Sequence, residues 1–454
     1  MITGKLFKAA AVAVAAMVAL SGCGMSSASA DANTIKVMYY KTDSFVRFDA
    51  LMKTVKAKIE KENPGTTVEL QPVTANDNDY KTKLALAQRS AETAPDVFYE
   101  DSSQIRADAD AGYLLNLDSY LAKWDDWQND FSDAAKKVGK GKDGTYAVPL
   151  STDTRVIWYN KRVFQKAGIV VPWQPKSWQD ILDTAATIKK KLPDVTPMSM
   201  LAGTPSGEGT VMQSFYELLF GTSAGDDALQ DQKSEKWVIG SQGMKDSLKF
   251  MKTIYDKGYT PSASEVLDAN YGAKVGSDYL PKDKMGFAVD GSWMPSTWTI
   301  GGSYEWPDYT DVIGAALFPT QKGEKPGYVS MSGGWTMAVG AKTKNAQLAF
   351  DFVKEATNKD NSLTYAKDMV LTAVRTDVAE DPSYLEASPY QEITTEAVNY
   401  THFRPSVTEY TKISSEVQKA TENVITGQMS VDEAAKAYDD AVINIVGKDN
   451  VVTK

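Results

Sequence analysis

The stretch from Ile35 to Tyr99 alternates strand, helix, strand, helix, strand, and no other segment so narrows the folds open to this chain. Ile35 to Tyr40 is β-rich with alternating polarity. Phe48, Leu51, Met52, Val55 and Ile59 follow at helical spacing, and Asn63-Pro64-Gly65 stops that helix. Val68 to Val73 reads as a second strand, Tyr80 to Arg89 as a second helix and Asp96 to Tyr99 as a third strand. Such a βαβαβ run implies right-handed crossovers and a parallel sheet. Ligands on open sheets of this kind bind off the carboxyl ends of the strands. That points to Tyr40-Lys41-Thr42-Asp43-Ser44 and Glu100-Asp101-Ser102-Ser103, which would otherwise be solvated turns.

About 430 residues remain beyond the first two dozen, more than one hydrophobic core usually serves, so two lobes are expected. The β-like segment Thr145 to Leu150 is followed by a polar Ser-Thr-Asp-Thr-Arg run and the strand Val156 to Tyr159. Pro149 can end one strand's pairing, and the polar run suits a crossing between lobes. A second α/β run includes Asp180 to Leu192, Val211 to Phe220 and Gly243 to Asp256. Trp124, Trp127 and Tyr159 read as core; Phe215 and Tyr216 could reach either a cleft or a sheet. Gly203 to Gly209 lacks the Lys-Ser/Thr ending of a phosphate-binding loop and reads as a plain loop. Asn76 to Asp79 lacks the Gly and Glu of a calcium loop and reads as a helix-capping turn.

The N-terminus carries Lys5 and Lys8 ahead of an unbroken apolar run, Ala9 to Leu20, then Leu20-Ser21-Gly22-Cys23. As a helix the run would span about 18 Å against roughly 30 Å of bilayer hydrocarbon, so it reads as a signal-peptide core. The small residues before Cys23 resemble the bacterial lipobox, where the cysteine is acylated and the chain is cut ahead of it. Residues 1–22 are then signal peptide, and 23–33 a lipidated N-terminus and small, polar tether. The expected location is the outer face of the bacterial cytoplasmic membrane, with membrane contact only through the lipid on Cys23.

Charge and residue inventory exclude several chemistries. The net charge is −10, more negative still without Lys5 and Lys8, which argues against nucleic-acid binding. The single cysteine is committed to lipid, so no intrachain disulfide or Cys-His nucleophile is available, and one histidine cannot support a multi-histidine zinc site. No metal or cofactor is expected. The 10 Trp and 22 Tyr are flat, with an apolar face and a polar handle, and suit stacking on sugar rings.

Several segments in order resemble the extracellular solute-binding proteins of ABC sugar importers, the family that includes maltose-binding protein. They are the lipobox; Ala94-Pro95-Asp96-Val97-Phe98; Tyr146-Ala147-Val148-Pro149 followed by Trp158 to Phe164; Met285-Gly286-Phe287-Ala288 leading to Gly291-Ser292-Trp293; Gly333-Gly334-Trp335 before Ala338-Val339; and Ala346 to Thr357. The resemblance implies an α/β fold of type II periplasmic-binding-protein form: two lobes, each a mainly parallel sheet flanked by helices, joined by a hinge and closing on a ligand. It places residues 34–150 with 315–358 in the N-terminal lobe and 151–314 with 359–454 in the C-terminal lobe. The ABC permease and its ATPase would be separate chains.

On the same resemblance Trp293 matches an aromatic that stacks on sugar, with Trp335 a second candidate beside two glycines; either could instead fill a lobe core. Tyr40, Asp43 and Asp101 come from the strand-end loops, Asp153 from the crossing and Asp290 from the approach to the Gly-Ser-Trp turn. Their carboxylates, with Arg155 and Arg375, suit vicinal hydroxyls because charged hydrogen bonds are strong and planar forks match adjacent donors or acceptors. His402, in Asn399 to Pro405, either donates to a sugar hydroxyl or is a loop histidine with a protein partner. The implied function is non-enzymatic capture of a neutral oligosaccharide for an ABC importer. The alternatives are a secreted lipoprotein glycoside hydrolase using two carboxylates, and a binding protein for a peptide, polyamine or polyol.

Overall fold

The computed structural model describes residues 33–42 and 46–454. The signal segment, Cys23, most of the tether and Asp43 lie outside the described residues.

Strand β1 (Thr34–Lys41) turns Ile35, Val37 and Tyr39 inward, and α1 (Val46–Glu62) covers them with Phe48, Leu51, Met52, Val55 and Ile59. One apolar stripe at helical spacing therefore buries one sheet face. The chain continues through β2 (Thr67–Thr74), α2 (Asp77–Ala87) and β3 (Val97–Asp101), and both outer strands run parallel to β1. Asn76 caps α2 by accepting from the Asp79 amide at 2.8 Å, as its turn predicts. Trp124 and Trp127 are buried with ring centroids 6.4 Å apart, within the same core.

After β4 (Ala147–Pro149) the chain leaves this sheet and enters a second one with β5 (Arg155–Asn160). There follow β6 (Thr196–Ser199), β7 (Trp237–Ile239), β8 (Met285–Gly291), β9 (Ile313–Ala316), β10 (Phe318–Pro319) and β11 (Tyr328–Met331). β8 and β9 flank β5 antiparallel, and β6 runs parallel to β8, giving the order β6-β8-β5-β9. The chain then returns as β12 (Trp335–Val339), which completes the first sheet in the order β2-β1-β3-β12-β4. β13 (Thr401–His402) pairs with β11, and β14 (Val451–Thr453) with β7. Two large hydrophobic cores result, with a small third cluster of Ala366, Val378 and Tyr384. The architecture is α/β with mixed sheets in two lobes.

Two expected lobe boundaries move. β9 pairs with β5, and Phe318, Val329 and Met331 pack into the second core, so the return to the first lobe falls at 332–334 rather than at 315. The helix Lys359–Met369 places Tyr365 and Met369 on the first core, followed by Leu371 and Val374. Tyr384 still donates to the Leu371 carbonyl, whereas Tyr390 belongs to the second core, so the last crossing lies between these tyrosines rather than at 358. Thr152, in the first crossing, bonds both to the second crossing and to the segment after the helix Lys359–Met369. Its backbone exchanges two 3.0 Å hydrogen bonds with Thr372, and its hydroxyl donates to the Gly333 carbonyl at 2.9 Å. Gly334 beside it has φ +128°, and a Cβ there would lie 2.7 Å from the Ser151 carbonyl oxygen, so the close approach requires glycine.

Candidate functional site

The two lobes enclose a cavity of about 660 Å³, within the range of roughly 300–1,000 Å³ common for small-molecule sites. It lies off the carboxyl ends of β1 and β3, as the open-sheet rule requires. Both lobes and the hinge contribute, and the wall includes Tyr40, Asp101, Asp153, Arg155, Asp290, Trp293 and Trp335.

The first lobe supplies an aromatic wall. The Trp335 ring stacks on Tyr40, centroids 5.3 Å apart at 18°, and on Tyr99, 5.0 Å apart at 20°. Burial pushes the Tyr40 hydroxyl pKa up, keeping it a neutral donor. The second lobe answers with Trp293, half-buried, with the Arg155 guanidinium 5.0 Å from its ring centre. Trp293 also packs against the first lobe's core, so its ring spans the seam. Its seat is Gly291, where an added Cβ would fall 2.1 Å from the indole ring. Gly291→Ala is therefore expected to displace the indole and weaken ligand binding while the protein stays folded, a comparison that titration calorimetry and circular dichroism can make.

The charged residues differ in how far they are already engaged. Asp153 accepts from Arg155 and from the Gly333 amide at 3.1 Å, so it braces the hinge while lining the cavity. Arg155 also donates to the Met331 carbonyl at 3.1 Å. Asp101 accepts from the Ser103 amide and hydroxyl at 2.8 and 2.7 Å, and from Arg404 at 2.6 and 3.2 Å. Burial alone would raise the Asp101 pKa, but Arg404 and Lys81 hold it well below the usual carboxylate range. Asp290, opposite Val156 at the end of β8, accepts from the Gly291 amide at 2.7 Å and has no ion-pair partner among the described residues. Burial raises its pKa to about 6, against the pull of that amide and of Arg155.

Two expected residues do not reach the cavity wall. Arg375 is 2% exposed and is spent on Asp126, Asp130 and Asp377, with Phe131 5.1 Å beneath its guanidinium. It ties the segment after the helix Lys359–Met369 to the rest of the first lobe. His402 turns the other way, onto Asp226 and the Phe220 ring 5.0 Å away. It is a histidine with a protein partner, at the end of β13 rather than in a loop. Phe215 and Tyr216 are buried in the second core, and the same helix presents Met212 and Gln213 to the cavity from a π-helical turn, Val211–Phe215.

Among the lining residues that escaped the sequence reading, Arg404 and Glu208 carry charge. Arg404 stands two positions after His402, in the run singled out for its histidine, and Glu208 lies in the glycine-rich segment read as a plain loop. An acidic residue among glycines and an arginine before a proline were the available signals. Among the described residues no group of three or more His, Cys, Asp or Glu side chains could hold a metal ion, and no helix is long and apolar enough to cross a membrane.

Two α/β lobes joined by three crossings, with a walled cavity between them, define a hinged solute-binding protein. Residues 42–362 match the family of bacterial extracellular solute-binding proteins, and the chain belongs to that family. The Escherichia coli protein YcjN is 29% identical over 212 residues, an alignment covering 45% of this chain and 47% of that one. The multiple sugar-binding protein of Streptococcus mutans is 25% identical over 352 residues, covering 75% of each chain. In fold, the chain is similar to the maltose-bound MalE3 of T. maritima, with a TM-score of 0.76, 22% identity and coverage of 91% of this chain and 100% of that one.

Proposed function

We propose that this protein is the capture component of an ABC importer, closing its two lobes on a neutral oligosaccharide and presenting it to a membrane permease. The observation that carries this reading is the cavity wall: Trp293 and Trp335 face a space whose lining arginines, Arg155 and Arg404, are already matched with carboxylates. A carboxylate surplus with no spare cation disfavours an anionic ligand, while indole faces and carboxylate acceptors suit uncharged rings bearing hydroxyls. Family membership and the sugar named for the Streptococcus mutans relative support the same class. Membership in a family of solute-binding proteins also favours binding without turnover. Cys23, acylated, would hold the chain on the outer face of the cytoplasmic membrane.

Thermal unfolding against maltose, maltotriose, raffinose, chitobiose, mannitol and glucuronic acid tests this, with each sugar recovered afterwards. A ligand at about 100 times its dissociation constant adds roughly 2.7 kcal/mol of stability. A shift with a neutral oligosaccharide recovered intact is the expected result; a shift only with glucuronic acid or mannitol, or a cleaved sugar, would overturn it.

Asp290 adds a pH signature. As a carboxylate it accepts strong, charged hydrogen bonds from sugar hydroxyls on both oxygens; protonated, it keeps only a neutral carbonyl acceptor and binds them more weakly. Affinity should therefore fall as pH drops through about 6, and binding near that pH should release a proton, because the bound sugar favours the ionised form. Calorimetry in two buffers of different ionisation enthalpy reads the proton, and Asp290→Asn should flatten the profile.

A further inference from the structure

We propose that Arg404, Asp101 and Glu208 form a latch between the lobes that holds the cleft closed without itself selecting the sugar. The proposal rests on the reading of the cavity as the ligand site, and its test separates the two.

Asp101 ends β3 in the first lobe, whereas Arg404 follows β13 and Glu208 starts a short helix in the second lobe. The Arg404 fork meets both Asp101 oxygens, and its Nη1 also donates to Glu208 at 2.9 Å. All three side chains are nearly out of solvent, 5%, 8% and 10% exposed, so salt screens them less than a surface pair while the cleft is shut. Both carboxylates are braced within their own lobes. Ser103 holds Asp101, while Tyr410 and Ser414 hold Glu208.

The arrangement can break cleanly. On opening, Arg404 would keep Glu208, and Asp101 would keep Lys81, whose amine lies 3.5 Å away and also pairs with Asp77 at 2.7 Å. Neither half is left with a buried unpaired charge, the outcome that makes most buried ion pairs costly to separate. A contact satisfied in both states but better satisfied in one biases a two-state equilibrium. Beside it the rims already meet: Thr408 donates to Asp110 at 3.4 Å, and a Cβ on Gly207 would approach Asn78 to 2.9 Å. Arg47 reaches from α1 to Thr299 and the Ile300 carbonyl, a further bridge between the lobes.

Small-angle scattering of the sugar-free secreted protein reads closure directly. In low salt, Arg404→Gln should show a larger radius of gyration than the parent. Sodium chloride at about 1 M, where the screening length falls to roughly 3 Å, should expand the parent toward the variant and leave the variant unchanged. Asp101→Asn should reproduce the effect, with circular dichroism confirming that both variants are folded. For maltotriose, or whichever panel sugar binds, affinity should drop about fivefold or more in both variants, in step with the lost closed population. Equal radii and equal salt responses in parent and variants would overturn the latch. So would loss of sugar binding with no change in radius, which would make Arg404 a sugar contact. If no panel sugar binds but the radii respond as described, the latch stands and the oligosaccharide reading falls.

Discussion

Trp293→Ala is expected to raise the dissociation constant for the bound oligosaccharide about thirtyfold or more, a loss of ~2 kcal/mol typical of a central tryptophan contact. The indole spans the seam, braced by Gly291 and by the Arg155 guanidinium and packed against the first lobe's core. Removing it takes away a stacking plane and loosens lobe closure together. Trp335→Ala should also weaken binding, but with a stability cost, because Tyr40 and Tyr99 both lean on that ring. Calorimetric titration and thermal unfolding of the two variants separate these effects. Unchanged affinity in Trp293→Ala would remove the second lobe's contribution to the aromatic site.

Arg375→Ala should destabilise the protein by about 3 kcal/mol and leave the sugar affinity of the folded fraction unchanged. The guanidinium is buried beside Asp126, Asp130 and Asp377, over the Phe131 ring, and donates to the Thr357 carbonyl at 3.2 Å. Deleting it leaves three carboxylates crowded without their cation, the costly way to break a buried pair, although their partial exposure moderates the cost. The effect should show in denaturant unfolding reported by tryptophan fluorescence, with Trp124 and Trp127 close to the lesion. A changed sugar affinity at unchanged stability would return Arg375 to the binding site.

These two residues show what the sequence carries. The βαβαβ start was legible because α1 and β1 each commit a single face, and only one register buries both. Trp293 was reached through the family resemblance of its Gly-Ser-Trp turn, and the fold places it on the cavity wall. Arg375 and Arg404 look alike in sequence, and their roles depend on distant carboxylates. Folding brings Asp126 and Asp130 to one arginine, and Asp101 and Glu208 to the other. The lobe boundaries blurred for a related reason. Ile313 to Ala316 straddles the expected boundary at 315, and its pairing with β5 rather than with the first sheet is a long-range outcome. The helix Lys359–Met369 has an apolar face that would fit either core.

A neutral oligosaccharide in the interlobe cavity would be visible directly. The measurement is a crystal structure of the secreted protein with the panel sugar that gives the largest thermal shift. Intact sugar between Trp293 and Trp335, with hydroxyls on Asp290, is the expected result; sugar seated elsewhere on the protein, or found cleaved in the cavity, would rule out the oligosaccharide reading.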